Sequence, residues 1–174
     1  MQKISIILWS LLLCSSLYAK NNTEKIGDIL QIAIPLSAYG TTLYLDDKEG
    51  QIEFYKSYGV SLASTYILKY TVKEQRPNSN ANDSFPSGHT SSAFSGATFI
   101  HKRYGFKDAI LPYLGAIYTA YSRVHSNKHY TRDVVAGAII GIASSWYCTT
   151  SYKGIEITPV INTEYKGIEA KYTW

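Results

Sequence analysis

Five stretches with helical character, each long enough for several turns, follow one another with polar connections. They run approximately over residues 26–44, 52–70, 86–102, 108–122 and 133–148. Pro86 opens the third stretch, and proline is well tolerated in the first turn of a helix because its missing N–H would be unpaired there. Helices joined by short loops pack as neighbours in a bundle. The sequence therefore predicts an all-α fold, a bundle of about five or six helices.

The first residues have the layout of a segment that directs export. One cation, Lys3, precedes a short apolar run over residues 4–13, and small or polar residues lead to Ala19. This layout is typical of a signal peptide, and the apolar run is short for a membrane-spanning helix, which needs about 20 residues. We therefore expect residues 1–19 to be a signal peptide. Its removal would leave Cys148 as the only cysteine, so that no intrachain disulfide can form.

The end of the chain changes to the two-residue period of a strand. Apolar and polar residues alternate over residues 154–157 and again over 167–172, with a polar run at 162–164 between them. This pattern predicts a β-hairpin tail over residues 151–174, following a main domain over residues 20–150. Because an isolated hairpin is marginal in water, we expect the tail to serve attachment or assembly by packing on the bundle, a second subunit or a membrane.

Length and charge narrow the classes of partner. A chain of 174 residues suits one domain with a real core. The net charge of +4 is compatible with an anionic substrate or membrane surface, but no basic tract or nucleic-acid motif accompanies it, so we expect no nucleic-acid partner. The sequence contains no Cys/His or carboxylate cluster that suggests a metal site, and we expect neither metal nor cofactor.

Two cations lie near the end of the second stretch. Lys69 precedes Arg76 by seven positions, and Pro77 follows. Arginine can bind a phosphoryl group with two parallel hydrogen bonds, and lysine binds it as a point charge. Taken alone, however, this pair is more simply explained as two surface cations among the seventeen Lys and Arg residues.

The third stretch begins with Pro-Ser-Gly-His at residues 86–89. The free N–H groups of a first helical turn bind anions, and Gly88 permits close backbone approach. Ser87 adds a hydroxyl donor. His89 would lie beside a bound anion, where it can pass a proton to a leaving oxygen. A helix cap with an incidental histidine is the alternative.

A third cluster runs from Ser122 to Asp133. His129 and Asp133 are four residues apart, so on a helix they share one face. An aspartate bonded to one imidazole nitrogen fixes the tautomer and leaves the other nitrogen free to attack. Arg123 adds another phosphate ligand. An ordinary His–Asp pair at the start of a helix is the alternative.

Together the three clusters resemble the signature of the PAP2 superfamily, the type 2 phosphatidic acid phosphatases and their relatives. That signature reads K-x6-RP, then PSGH, then SR-x5-H-x3-D. All eleven specified positions are filled in order, by Lys69, Arg76, Pro77, Pro86, Ser87, Gly88, His89, Ser122, Arg123, His129 and Asp133. The resemblance implies the helical core of the family over about residues 26–148, and the tail lies outside it.

The resemblance implies a metal-independent phosphatase that cleaves phosphate monoesters or pyrophosphates, lipid phosphates among them, through a phosphohistidine intermediate. His129 would be the nucleophile, Asp133 would orient it, and His89 would protonate the leaving group. The phosphoryl oxygens would be bound by Lys69, Arg76, Ser87, Gly88 and Arg123. The other two histidines, His101 and His125, match no position of the signature and are expected to be surface or structural residues.

Two other functions stay open: an inactive binding module with the same fold, and a vanadate-dependent haloperoxidase, although such enzymes resemble much larger chains. The location is open as well. The uncharged run 134–152 approaches the length of a membrane span, whereas the helix after Pro86 is rich in Ser, Thr and Gly. We expect an exported periplasmic body, for which membrane association is left open; an integral inner-membrane protein is the alternative, and a homo-oligomer is left open as well.

Overall fold

The computed structural model describes residues 22–152, 155–161 and 166–172. Within these ranges the chain forms five helices, as the sequence predicts. They are α1 (Asn22–Tyr44), α2 (Lys48–Val72), α3 (Gly88–Tyr104), α4 (Phe106–His125) and α5 (Thr131–Cys148). Helix α3 lies at the centre and contacts the other four. The expected signal peptide, residues 1–19, lies outside the described residues.

Side-chain caps determine where two of the helices begin. Helix α2 follows Asp47, whose carboxylate accepts a hydrogen bond of 2.9 Å from the N–H of Gly50. Helix α3 follows Ser87, whose hydroxyl accepts from the N–H of Thr90 at 3.4 Å. The prediction that this helix opens at Pro86 is therefore wrong by two residues, because the serine oxygen caps the first turn and proline lies ahead of it.

Small residues set the spacing between α3 and α5. A methyl group added at Gly137 would lie 2.5 Å from the carbonyl oxygen of Ser87, and one at Gly141 would lie 2.4 Å from that of Ser91. Neither distance is sterically allowed, so any larger residue would push the two helices apart. The start of α3 is thus held directly against the first half of α5.

The apolar core of the described residues consists of two clusters, and α3 contributes residues to both. One contains Leu30, Ile34, Ala93, Ala97 and Ala116, and the other contains Ala38, Phe54, Phe99, Ile100 and Ala109. Phe99 is completely buried, and its ring packs edge-on against Phe54 with the ring centres 5.3 Å apart. These contacts fix the middle of the bundle.

A buried ion network closes the end of the bundle at which α3 terminates. The guanidinium of Arg103 donates to both carboxylate oxygens of Asp47, at 2.6 and 2.7 Å, and to Glu53 at 3.2 Å. Tyr104 donates to the same aspartate, and the hydroxyl of Thr150 completes the network. A buried guanidinium requires such partners because an unpaired charge is costly to remove from water. The network ties α2, α3 and the segment after α5 together.

Two strands follow the helices. Strand β1 (Ile155–Ile161) pairs antiparallel with β2 (Lys166–Tyr172). The connection between them lies outside the described residues. Just before β1, the N–H of Tyr152 donates to the carbonyl of Arg103 at 2.7 Å, so the chain leaves the bundle beside the buried ion network. The role of the tail stays a prediction.

The outer surface of the bundle is unusually apolar. No helix within the described ranges combines the length and apolar character required to cross a membrane. Large apolar side chains are nevertheless exposed on the four outer helices, among them Ile29, Ile32, Leu36, Leu43, Ile52, Val60, Ile67, Ile110, Leu114, Ile117, Val135 and Ile139. These side chains leave apolar surface open to solvent on each of the four outer helices.

Candidate active site

The His–Asp pair of the third cluster is buried at the start of α5. His129 Nδ1 lies 3.5 Å from Asp133 Oδ2, and the two side chains are 2% and 0% exposed. The sequence places both residues on one helix face, but the helix begins only at Thr131, after the cap Tyr130. The pair meets because the chain turns into the helix at Tyr130, whose N–H donates to Asp133 Oδ2 at 3.0 Å.

Ser84 is part of this arrangement, although the sequence analysis did not identify it. Its completely buried hydroxyl lies 2.5 Å from Asp133 Oδ2, to which it donates, and 3.4 Å from His129 Nδ1. Asp133 Oδ1 has no hydrogen-bond partner within the described part of the chain. Asp133 Oδ2 therefore accepts hydrogen bonds from both the Ser84 hydroxyl and the N–H of Tyr130, and the same oxygen faces His129.

Lys69 and Arg76 are brought together by Asp83, another residue that the sequence analysis missed. Arg76 donates to both carboxylate oxygens of Asp83, at 2.6 and 2.9 Å, and Lys69 donates to the backbone carbonyl of the same residue. The hydrogen bonds from Arg76 lower the pKa of Asp83, against the opposing effect of its burial. Asp83 thus holds the two cations of the first cluster on one side of the site.

The start of α3 contributes a backbone platform. Ser87 is completely buried, and its N–H donates to the carbonyl of Asp133 at 2.9 Å. Because its hydroxyl accepts from Thr90, the side chain serves the helix start instead of pointing into open space. Gly88 follows as the first residue of α3, and its backbone lies at the surface of the adjoining cavity.

His89 and Arg123 meet at a carboxylate from α1. Asp28 Oδ1 lies 2.9 Å from His89 Nε2 and accepts from Arg123 Nη1 at 2.8 Å. Two further donors of Arg123 bond the carbonyl of Glu24 at 2.6 Å and the hydroxyl of Ser122 at 3.1 Å. Each of the three guanidinium nitrogens of Arg123 thus makes a hydrogen bond, and the side chain is almost inaccessible to solvent. Asp28 is the link between the second and third clusters.

A cavity of about 320 Å³ connects the three clusters. Five of the residues predicted for the site line it: Lys69, Arg76, Gly88, His89 and His129. Three others lie buried beside it: Ser87, Arg123 and Asp133. The structure thus brings the predicted nucleophile His129, the predicted proton donor His89 and two cations to one cavity. The other three predicted residues are buried next to them.

The charges around the cavity shift the ionisation of both histidines. Burial, reinforced by the charges of Lys69 and Arg76, lowers the pKa of His129 to about 4, although Asp133 opposes the shift. Burial and the charge of Arg123 lower the pKa of His89, which Asp28 partly counteracts. Burial also lowers the pKa of Lys69. A neutral His129 keeps the lone pair that a nucleophile needs.

The other two histidines lie outside the cavity lining. His101 bonds the hydroxyl of Tyr113 at 3.1 Å and packs against the ring of Trp146, while His125 stacks on Tyr121. Across the described ranges, no group of three or more His, Cys, Asp or Glu side chains is arranged to hold a metal ion.

Comparison with known proteins identifies the family. The PAP2 superfamily matches residues 53–156, which include the site from Lys69 to Asp133. A lipid A 4'-phosphatase from Helicobacter pylori is 31% identical over 157 residues, covering 83% of this chain and 79% of that protein. The chain therefore belongs to the PAP2 superfamily, as the three clusters indicate.

Two further matches agree with this assignment. A lipid A 1-phosphatase from Porphyromonas gingivalis is 40% identical over 77 residues; the match covers 42% of this chain but spans only 17% of the length of that relative. The crystal structure of Aquifex aeolicus LpxE has the same fold, with a TM-score of 0.57 and 21% identity over 81% of this chain and 93% of that one.

The contacts of Ser84 lead to a prediction. Ser84→Ala should lower kcat roughly tenfold, the loss of one hydrogen bond of about 1.4 kcal/mol, because His129 and Asp133 lose a shared partner. KM should change little, since the cations that line the cavity are untouched. The measurement is steady-state hydrolysis of an aryl phosphate together with the melting temperature.

Ser57→Ala is the matched control, because Ser57 is an equally buried serine that bonds only a carbonyl within its own helix. Ser84→Thr, which keeps the hydroxyl, should recover part of the rate. If Ser84→Ala and Ser57→Ala behaved alike in kcat, Ser84 would have a structural role only.

Proposed function

We propose that this chain is a metal-independent phosphatase that removes phosphate from lipid-borne monoesters or pyrophosphates, with His129 as the nucleophile. The observation that carries the proposal is the shared cavity: a buried histidine, backed by a carboxylate, faces the same space as a second histidine, two cations and a helix start. The two lipid A phosphatases among the relatives support a lipid phosphate as substrate.

The first step transfers the phosphoryl group to the protein. His129 attacks phosphorus through Nε2, because Nδ1 faces Asp133 and Ser84. As the new P–N bond forms, the bond from phosphorus to the leaving oxygen breaks, and His89 gives its proton to that oxygen. Lys69, Arg76 and the N–H groups at the start of α3 stabilise the charge on the other phosphoryl oxygens, as metal ions do in many phosphoryl-transfer enzymes.

The second step regenerates the enzyme. A water molecule attacks the phosphohistidine and gives one proton to the now neutral His89, while the P–N bond breaks and inorganic phosphate leaves. Asp133 supports both steps, since its carboxylate faces the Nδ1–H of His129, keeps the proton on that nitrogen and stabilises the imidazole as positive charge develops. After one cycle His89 has regained the proton that it gave to the leaving oxygen, and His129 has passed the phosphoryl group to water.

The proposal extends to location. We propose an exported protein in which residues 20–150 carry the chemistry and bind a membrane through the apolar side chains exposed on the outer helices, with residues 151–174 as a tail for attachment or assembly. A lipid-borne phosphate favours this placement, because the substrate headgroup lies at the membrane surface. The buried ion network lies near the tail, and α3, whose length is about 25 Å, separates it from the site.

The test of the mechanism is to trap the intermediate. After brief incubation with phosphate-labelled substrate and an alkaline quench, which preserves phosphohistidine, we expect label on the wild-type protein and none on His129→Ala. His125→Ala, which changes an exposed histidine outside the cavity, should retain the label. A chelator should leave turnover unchanged, and vanadate should inhibit by occupying the phosphoryl site. Activity lost in EDTA and restored by magnesium or zinc would overturn the mechanism.

The two histidines also predict the pH dependence. Below about pH 4, His129 becomes protonated and loses its lone pair, so kcat/KM should fall on the acid side. His89 must carry a proton, and its pKa is lowered from 6.5, so kcat/KM should fall again as pH rises through a value below 6.5. The measurement is a profile of kcat/KM from pH 3 to about 8, where the ordinary histidine range ends.

His89→Ala provides the control for this profile. With an aryl phosphate, whose leaving group needs little protonation, the variant should keep the acid side of the profile and lose the fall on the basic side. If the basic-side fall persisted at the same pH in His89→Ala, it would belong to another group and His89 would not be the proton donor.

Cell fractionation tests the proposed location. We expect the full chain in the membrane fraction, released by detergent but not by high salt, because the exposed side chains are apolar. Truncation after Ser151 should change oligomer size or membrane binding but leave kcat per folded molecule unchanged on an aryl phosphate. Release of the full chain by osmotic shock alone would contradict the membrane proposal. If the truncated protein lost as much kcat as His129→Ala, the tail would help to build the site.

A further inference from the structure

A second cavity, of about 310 Å³, adjoins the catalytic one. The two cavities share three lining residues, Tyr66, Lys69 and Asp83. The second cavity is completed by Tyr70, Lys73 and Asn82. A substrate whose scissile phosphate lies beside His129 can therefore extend past Lys69 into this space, along the last turn of α2.

Lys73 differs from the other cation of the second cavity. Lys69 donates to the carbonyl of Asp83, whereas Lys73 makes no ion pair with any residue in the described ranges. Its backbone is held at the end of α2 in the left-handed conformation, with φ 51°, and its N–H donates to the carbonyl of Lys69 at 3.2 Å. A charge without an ion-pair partner in the described part of the chain, on a fixed backbone beside the catalytic cavity, can bind an anion.

The remaining wall of the second cavity suits a polar ring. Tyr66 and Tyr70 lie one helical turn apart and are 54% and 73% exposed, so their faces are open to a ligand. Aromatic rings of this kind bury the apolar face of a sugar, and their hydroxyls bond its polar edge. Asn82 adds an exposed amide, which can both donate and accept.

We propose that the second cavity binds a second phosphate of the substrate, with Lys73 as its ligand. Lys69 lies in the last turn of α2 and Lys73 directly follows its last residue; the hydrogen bond from the N–H of Lys73 to the carbonyl of Lys69 keeps the two backbones about one helical pitch, roughly 5.4 Å, apart. The substrate class is therefore a phosphorylated sugar headgroup in which a second phosphate is separated from the scissile one by about one sugar ring. This inference rests on the proposed function, because it assigns the scissile phosphate to the His129 cavity.

The test compares glucose 1,6-bisphosphate with glucose 1-phosphate and glucose 6-phosphate. The wild-type protein should show a kcat/KM for the bisphosphate about tenfold above that for either monophosphate, mainly through a lower KM, as one added charge pair allows. Lys73→Gln should remove this preference and leave both monophosphates unchanged, whereas Lys73→Arg should keep it. High salt should reduce the preference in the wild type, because the lysine is exposed.

Lys56→Gln is the matched control, because Lys56 is an exposed lysine of α2 that does not line either cavity. An equal loss on all three sugars in Lys73→Gln, the same loss in Lys56→Gln, or no preference in the wild type would overturn the inference. Calorimetric measurement of the Kd of the same three sugars tests the subsite independently of hydrolysis, and thus independently of the proposed function. Failure of the proposed function would be seen separately, as no hydrolysis of an aryl phosphate or a lipid phosphate. A Lys73-dependent difference in Kd supports the subsite whether or not the three sugars are hydrolysed, and its absence contradicts the subsite.

Discussion

The contact between the start of α3 and the first turn of α5 is the constraint on which the site depends. It consists of the hydrogen bond from the N–H of Ser87 to the carbonyl of Asp133, at 2.9 Å, and of the close approach at Gly137. Gly88 and His89 follow directly on one side of this contact, and His129 precedes it on the other. The distance between the backbone platform and His129 is therefore set by small residues and one backbone hydrogen bond, and a larger side chain at residue 137 would change this distance.

Charge balance is the second constraint on the site. Arg76 is paired with Asp83, and Arg123 and His89 are both paired with Asp28. Because a buried cation without a partner is strongly destabilising, these carboxylates hold the cations in place. In each pair the carboxylate is more exposed than its partner: Asp83 is 49% exposed and Arg76 25%, and Asp28 is 45% exposed and Arg123 3%. The negative charges of these pairs thus lie nearer to solvent than the positive charges.

The sequence predicts the helices and the signature residues because both are local patterns. Periodicity identifies each helix from its own residues, and the spacing within each cluster is read over at most a dozen positions. Ser84 and Asp28 could not be found in this way, because Ser84 bonds a residue 49 positions away and Asp28 bonds one 95 positions away. Each is a single polar residue without a pattern, and only the packing of the helices gives it a partner. Arg103 was missed for the same reason.

Helix α3 connects these separate features. Its first turn forms the platform beside His129, and its last turn carries Arg103, whose bonds to Asp47 and Glu53 fix the opposite end. Its buried face consists largely of Ser, Ala, Gly and Thr, which permits close packing by the four surrounding helices. Because α3 is held at both ends from inside the bundle, the geometry of the site does not depend on the outer faces of the surrounding helices. Those faces can therefore be apolar without changing the site, and the proposed binding to a membrane surface would require this separation.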